Sequence, residues 1–349
     1  MDGDDADERQ PGDTMGQRVP GNRLKIRVLL ELDRRLLTAL LLVVVFVALV
    51  LLGALDPAPM RAAMGSADPV ETLFQALVTA IITGVTLVVS INQLVLSQEL
   101  GAVGDQRERM EEAMQFRQDV EEVIDAPVSP PEPAAFLRAI IDVTRTRANS
   151  LSDAIEASRD EQLRARVDDY VTSLTENAEQ VSTRLEDAQF GTFDLLMAAL
   201  NYNYSWKIYE ARRLRNEHAE SFTEESSEAL DAVVEVLQFF GPAREHFKTL
   251  YFEWELINLS RTMLYSAVPA LIVSMAGILY LDNPATVTGT TLGVDNLVLV
   301  VAAAATVALT PFLLLLSYVL RVATVAKRTL AIGPFVLRET EQTDDIDWD

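Results

Sequence analysis

The sequence predicts an all-α fold: four transmembrane helices, with a cytoplasmic helical bundle inserted between spans 2 and 3. Three observations carry that prediction. Apolar stretches at 36–55, 72–97, 263–281 and 295–320 are each long enough to cross about 30 Å of hydrocarbon. The long segment between the second and third is rich in Glu, Arg, Ala and Leu, with apolar residues mostly three, four or seven apart. The chain is also both acidic and apolar. Its 29 Lys+Arg and 52 Asp+Glu leave a net charge of -23, yet 49% of its 349 residues are hydrophobic and the mean hydropathy is +0.16. Apolar spans in lipid joined to acidic parts in water satisfy both facts.

Taken in order, residues 1–22 are an acidic tail expected to be disordered, with Asp2, Asp4, Asp5, Asp7 and Glu8 among them. Residues 23–35, RLKIRVLLELDRR, alternate basic and apolar positions at helical spacing. They read as a basic amphipathic juxtamembrane helix along the inner membrane surface, or equally as an extension of the first span. Residues 36–97 hold spans 1 and 2. The first is too long, and too far from the start, for a signal peptide.

The cytoplasmic helical domain covers 98–260. The second span is expected to run on as one helix from 72 to 125, with Gly101 and Gly104 as weak points. The prolines of APVSPPEP, residues 126–133, must end it. A long helix is then expected from 134 to 188, with a coiled-coil or hairpin contact, and a break at Gly191. A third helix is expected over 194–219, and a fourth from Ser221 or Thr223, interrupted at Gly241-Pro242. Spans 3 and 4 fill 261–328, and 329–349 form an acidic C-terminal tail.

Orientation follows from the basic residues. The loops at 56–71 and 282–294 contain Arg61 alone, whereas Arg34, Arg35, Arg107, Arg109, Arg261, Arg321 and Lys327 flank the opposite ends. Both termini and the 98–260 domain are therefore expected to be cytoplasmic, in a multi-pass protein of the cell membrane.

Composition narrows the chemistry. With no cysteine there is no disulfide, thiolate metal site or cysteine nucleophile. The negative balance argues against nucleic acid as a partner. No phosphate-binding loop, dinucleotide fingerprint, HExxH or GxSxG pattern occurs, and the two histidines, His218 and His246, stand apart. No enzyme, metal or cofactor is expected. Lys25, Lys207, Lys248 and Lys327 are the sole lysines. An acidic, lysine-poor surface suits a halophile, because molar salt cuts the Debye length to about 3 Å and screens self-repulsion.

The candidate site lies in the second span. Gln75, Thr79, Thr83, Thr86, Ser90, Gln93 and Ser97 recur at spacings of three and four, and so fall on one helical stripe. The stripe is uncharged. It either bonds to neighbouring helices or, in symmetry-related copies, lines an aqueous pore. No acid, base or histidine sits in the middle of any span, which disfavours energised transport. Pro269 and Pro311 are candidate hinges in spans 3 and 4. Ser266, Ala270 and Ser274, and the alanines from Ala302 to Ala308, allow close packing. Arg212, Arg213 and Arg215 form a candidate anion or lipid patch, against the plainer reading of a solvated helix face.

The stretches VVSINQLVLSQELG and TLYFEWELINLSR resemble a group of four-span membrane proteins from halophilic archaea. That resemblance implies the topology and transfers no site. In topology alone, the plan is also similar to bestrophin-type channels. The expected function is a homo-oligomeric passive ion channel in the lipid bilayer, with span 2 lining the pore. The alternative is a non-conducting membrane adaptor or sensor whose cytoplasmic domain binds a protein partner.

Overall fold

The computed structural model describes residues 32, 34–55, 60–64, 68–186, 188, 193–281, 283 and 285–328. The two acidic tails and nearly all of the 23–35 helix lie outside the described residues. In chain order the elements are α1 (Arg34–Leu55), α2 (Met60–Met64), α3 (Pro69–Glu99), α4 (Val103–Ile124), α5 (Pro133–Ile155) and α6 (Glu161–Glu186). Then follow α7 (Phe193–Leu200), α8 (Tyr204–Glu217), α9 (Glu224–Tyr280), β1 (Thr290–Thr291), β2 (Val294–Asp295) and α10 (Asn296–Arg328). The fold is all-α apart from the antiparallel β1–β2 hairpin. Its turn, Leu292-Gly293, has positive φ at both residues (53° and 81°), the twist that a two-residue hairpin turn requires.

Helices α1, α3, α9 and α10 are long and apolar enough to cross a membrane. The described residues divide into two compact units, those of 32–100 with 253–325 and those of 101–252 with 326–328.

In the first unit, α1 is apolar all round, and Leu37 and Thr38 are its buried residues. Val43, Val44, Leu51 and Leu52 lie exposed, an arrangement suited to lipid. One row of α3, formed by Val70, Phe74, Leu77 and Ile81, packs with Ala267 and Ala270 of α9 and Leu297, Val301, Ala305 and Ala308 of α10. Small residues bring these backbones together. A Cβ on Gly277 would stand 2.6 Å from the Phe74 ring.

Charged clasps tie the unit. The two terminal nitrogens of Arg34, Nη1 and Nη2, meet the two carboxylate oxygens of Glu255, and the same guanidinium lies 4.6 Å over the Tyr318 ring. Nearby, Arg321 donates to the Leu32 carbonyl, and Thr38 Oγ1 donates to Ser317 Oγ at 3.2 Å. At the opposite ends of the helices, Arg61 grips Asp295 through Nε and Nη2 at 2.5 and 2.6 Å and also reaches the Val287 carbonyl. Asp295 in turn accepts from the Leu297 N–H at 2.9 Å, near the start of α10.

In the second unit, α5 and α6 form a hairpin. Ile140, Ile141, Leu151, Leu163, Val167 and Leu174 of that hairpin share one buried core with Leu230, Val233, Leu237 and Phe240 of α9. Tyr202 stacks edge-on to Phe240 at 4.8 Å. By contrast, every residue of α4 from 103 to 115 is exposed.

Four expected boundaries change. The single helix over 72–125 breaks at residues 100–102, where Leu100 takes ψ 84° and Ala102 is extended. Gly101 lies in that break, whereas Gly104 lies within α4. The helix expected over 134–188 folds into the α5–α6 hairpin because Asp160 restarts it. Asp160 Oδ1 accepts from the N–H groups of Gln162 and Leu163, both at 3.0 Å, a capping arrangement. The helix expected over 194–219 breaks at Asn201-Tyr202-Asn203, where Asn177 Nδ2 takes the Asn201 carbonyl at 3.1 Å.

The interruption expected at Gly241-Pro242 does not occur: α9 is one helix of 57 residues, roughly 85 Å at 1.5 Å per residue. Pro242 costs a ladder bond. Packing holds the helix through it, since Gly241 and Ala243 are buried. The Tyr204 ring lies so close that a Cβ on Gly241 would stand 2.8 Å from it. The start of α9 matches expectation: the Ser226 N–H donates to Thr223 Oγ1 at 3.2 Å, and the Thr223 N–H to Ser226 Oγ at 2.9 Å.

Candidate functional site

Helix α3 has two opposed faces. At about 100° per residue, the row through Gln75, Thr79, Thr83, Thr86, Ser90, Gln93 and Ser97 is centred roughly 180° from the packed row of Val70, Phe74, Leu77 and Ile81. All seven polar residues are exposed. Their bonds stay within α3. Thr79, Thr83, Thr86 and Ser90 donate to the carbonyls of Gln75, Thr79, Ile82 and Thr86 at 2.8–3.0 Å, and Ser97 donates to Leu94 at 2.7 Å. Gln75 Nε2 donates to Glu71 Oε1 at 2.7 Å. No bond from the row to another helix is found among the described residues.

The other spans treat hydroxyls differently. Thr38 of α1 is buried, as are Ser274 of α9 and Thr306 and Ser317 of α10; Thr262, Ser266, Thr310 and Thr324 are half-buried. Exposed serine and threonine hydroxyls within the spans are confined to α3 among the described residues. Asn92, off the row, has an enclosed Oδ1 with no hydrogen-bond partner among the described residues.

Pro269 and Pro311 lie inside α9 and α10, and both helices run through them. Arg212, Arg213 and Arg215 have different surroundings. Arg213 pairs with Glu217 at 2.6 Å. Arg215 meets Asp231 and donates to Ser227 Oγ at 2.8 Å, and the bond to Asp231 raises its pKa. Arg212 is exposed. Arg212 and Arg215 border a groove of about 600 Å³ between α8 and α9, floored by Ile208, Leu230, Val234 and Pro242. Asp231 and Glu245 also line it, so the groove carries both signs of charge.

Among the described residues no cluster of three histidines or carboxylates is placed to hold a metal. Asp160 is a strongly perturbed carboxylate. The Leu163 N–H, the Ser221 hydroxyl at 2.7 Å, His218 at 3.3 Å and the Gln162 N–H hold its pKa down at about 2. These bonds join the α6 start to the segment before α9, which is a structural role.

The clasps were not legible in the sequence. Arg34 and Arg321 stood out there as orientation signals, but their partners, Glu255 and a backbone carbonyl, gave no local pattern. Arg61 was visible as the one basic residue of its loops; that it reaches Asp295 depends on the fold.

No curated protein and no solved structure matches the chain. Over its whole length, residues 1–349, the chain belongs to a family of unknown function, DUF7972.

Proposed function

We propose that the protein is a homo-oligomeric passive ion channel of the cell membrane, in which copies of α3 turn their polar rows toward a shared aqueous pore. The observation that carries the reading is the position of the row: opposite the packed face, exposed from end to end within one chain, and without charge. An uncharged polar wall binds ions weakly enough to let them leave. One chain has one such row, so several copies are needed to enclose water. The exposed first half of α4 offers those copies a further surface on which to meet. The arginine and lysine distribution supports an orientation with both termini and the 101–252 unit on the cytoplasmic side. The acidic, lysine-poor composition is that of a halophilic protein working at molar salt.

A non-conducting adaptor or sensor is the second reading, favoured by the groove between α8 and α9, whose size suits a ligand or a partner's side chains. Two measurements separate them. The detergent-purified protein in molar potassium chloride is expected to run as a defined ring of several subunits. Gln93→Leu and Thr86→Leu are expected to lower conductance without changing that mass. A monomer, or unchanged conductance in both variants, refutes the channel.

A further inference from the structure

We infer that the path along α3 passes monovalent cations and rejects anions. This rests on the pore reading above and adds the class of ion. Its ground is the direction of five hydrogen bonds. The hydroxyl oxygens of Thr79, Thr83, Thr86, Ser90 and Ser97 lie 3.0, 2.8, 2.9, 2.9 and 2.7 Å from backbone carbonyl oxygens of α3 itself. A carbonyl oxygen has no proton to give, so the hydroxyl is the donor in every case. A hydroxyl owns one proton and two lone pairs. With the proton committed to the backbone, each exposed side chain presents an acceptor. Gln75 gives one of its two amide N–H groups to Glu71, and its carbonyl oxygen remains as an acceptor.

An ion entering a narrow polar path exchanges water for the groups on the wall. A potassium or sodium ion exchanges water oxygens for hydroxyl and amide oxygens. A chloride ion needs N–H or O–H donors, and along this row the five hydroxyls have spent theirs, which leaves the amides of Gln75, with one N–H already on Glu71, and Gln93. No lysine, arginine or histidine occurs in α3, and Glu71 stands in its first turn. Divalent cations call for carboxylate ligands and give up water reluctantly. The row from Gln75 to Ser97 carries no carboxylate, so the fit is to monovalent ions.

The full-length protein, reconstituted in planar bilayers under a potassium chloride gradient, tests this. The zero-current potential is expected to lie on the potassium side of zero, and sodium is expected to replace potassium as carrier. Thr83→Val with Thr86→Val keeps the shape of the wall and removes two acceptors, so conductance falls and the preference for potassium over chloride narrows. A zero-current potential on the chloride side overturns the cation assignment and leaves the pore standing. Conductance and selectivity unchanged in the double valine variant also overturn it, because the wall oxygens then do not touch the ion. No current from membranes shown to hold the assembled protein overturns the pore and the assignment together.

Discussion

Breaking the Arg34–Glu255 pair tests the architecture of the membrane unit most sharply. Glu255 is 3% exposed and Arg34 17% exposed, and both carboxylate oxygens are engaged. Two unit charges about 4 Å apart attract by about 4 kcal/mol at an effective dielectric of 20. Much of that is offset by the cost of taking the charges out of water. The larger effect appears when one partner is removed, because the other stays buried and uncompensated; for such pairs the loss is about 3–5 kcal/mol. Glu255→Met and Arg34→Met are each expected to destabilise the protein by about 3 kcal/mol. Arg34→Met with Glu255→Met together should recover most of it, since an apolar pair of similar size leaves no orphan charge. The assay is equilibrium unfolding in mixed micelles, followed by tryptophan fluorescence, with Trp254 next to the site. The single losses sum to about 6 kcal/mol and the double variant should lose under about 2, so a coupling of about 4 kcal/mol between the two positions is expected; single losses that add within about 0.5 kcal/mol would overturn it.

Asp160 has a folded pKa of about 2 against an unfolded value of about 3.9, so its stabilisation is complete above the unfolded value and is lost as pH falls toward 2. The melting-temperature gap between wild type and Asp160→Asn should therefore close between about pH 4 and pH 2; a gap constant with pH would contradict it. Gly277→Ala puts a methyl 2.6 Å from the Phe74 ring and should cost about 1–3 kcal/mol, relieved in part by Phe74→Leu. Leu174→Ala opens a cavity in the α5–α6 core at about 2–5 kcal/mol, whereas Leu52→Ala, 68% exposed on α1, should stay within about 0.5 kcal/mol; equal losses would mean the two environments were misassigned.

What the sequence made legible was set by range of interaction. Spans 36–55 and 72–97 were visible because an uncharged apolar run of that length has few soluble uses. The capping of α9 at Thr223 was visible because it lies within three residues. The turn at 156–160 was missed because Glu-Ala-Ser-Arg-Asp contains no proline or glycine, and Asp160, which caps the restart, is itself held by Ser221 and His218 across the fold. Continuity through Pro242 was missed for the complementary reason: local propensity opposes it, and the core around Gly241, Phe240 and Ala243 overrides propensity. The polar row of α3 was readable as a row. Its exposure was not, because periodicity places residues on a face without saying what that face meets.

The contrast between α1 and α3 bears on what that face meets. Both helices leave one side open within the chain, but with different chemistry. On α1 the open side is Val43, Val44, Val47, Leu51 and Leu52, and its one hydroxyl, Thr38, is turned inward to Ser317. On α3 the open side holds Thr79, Thr83, Thr86, Ser90 and Gln93 along its middle, with Ile82, Leu87 and Leu94 exposed beside them. A hydroxyl bonded back to its own helix enters hydrocarbon at low cost, so a single outward threonine would carry no weight. A full row is another matter, because the other spans bury or half-bury the serines and threonines that α3 displays. Lipid exposure gives no reason for that asymmetry. A membrane protein has two surroundings to offer an open helix face: hydrocarbon outside the assembly, and water or another copy within it. The apolar face of α1 suits the first and the polar face of α3 suits the second. Since α3 also packs its opposite side on α9 and α10, an assembly that gathers its copies around water leaves α1 to the lipid without disturbing the core of any one chain.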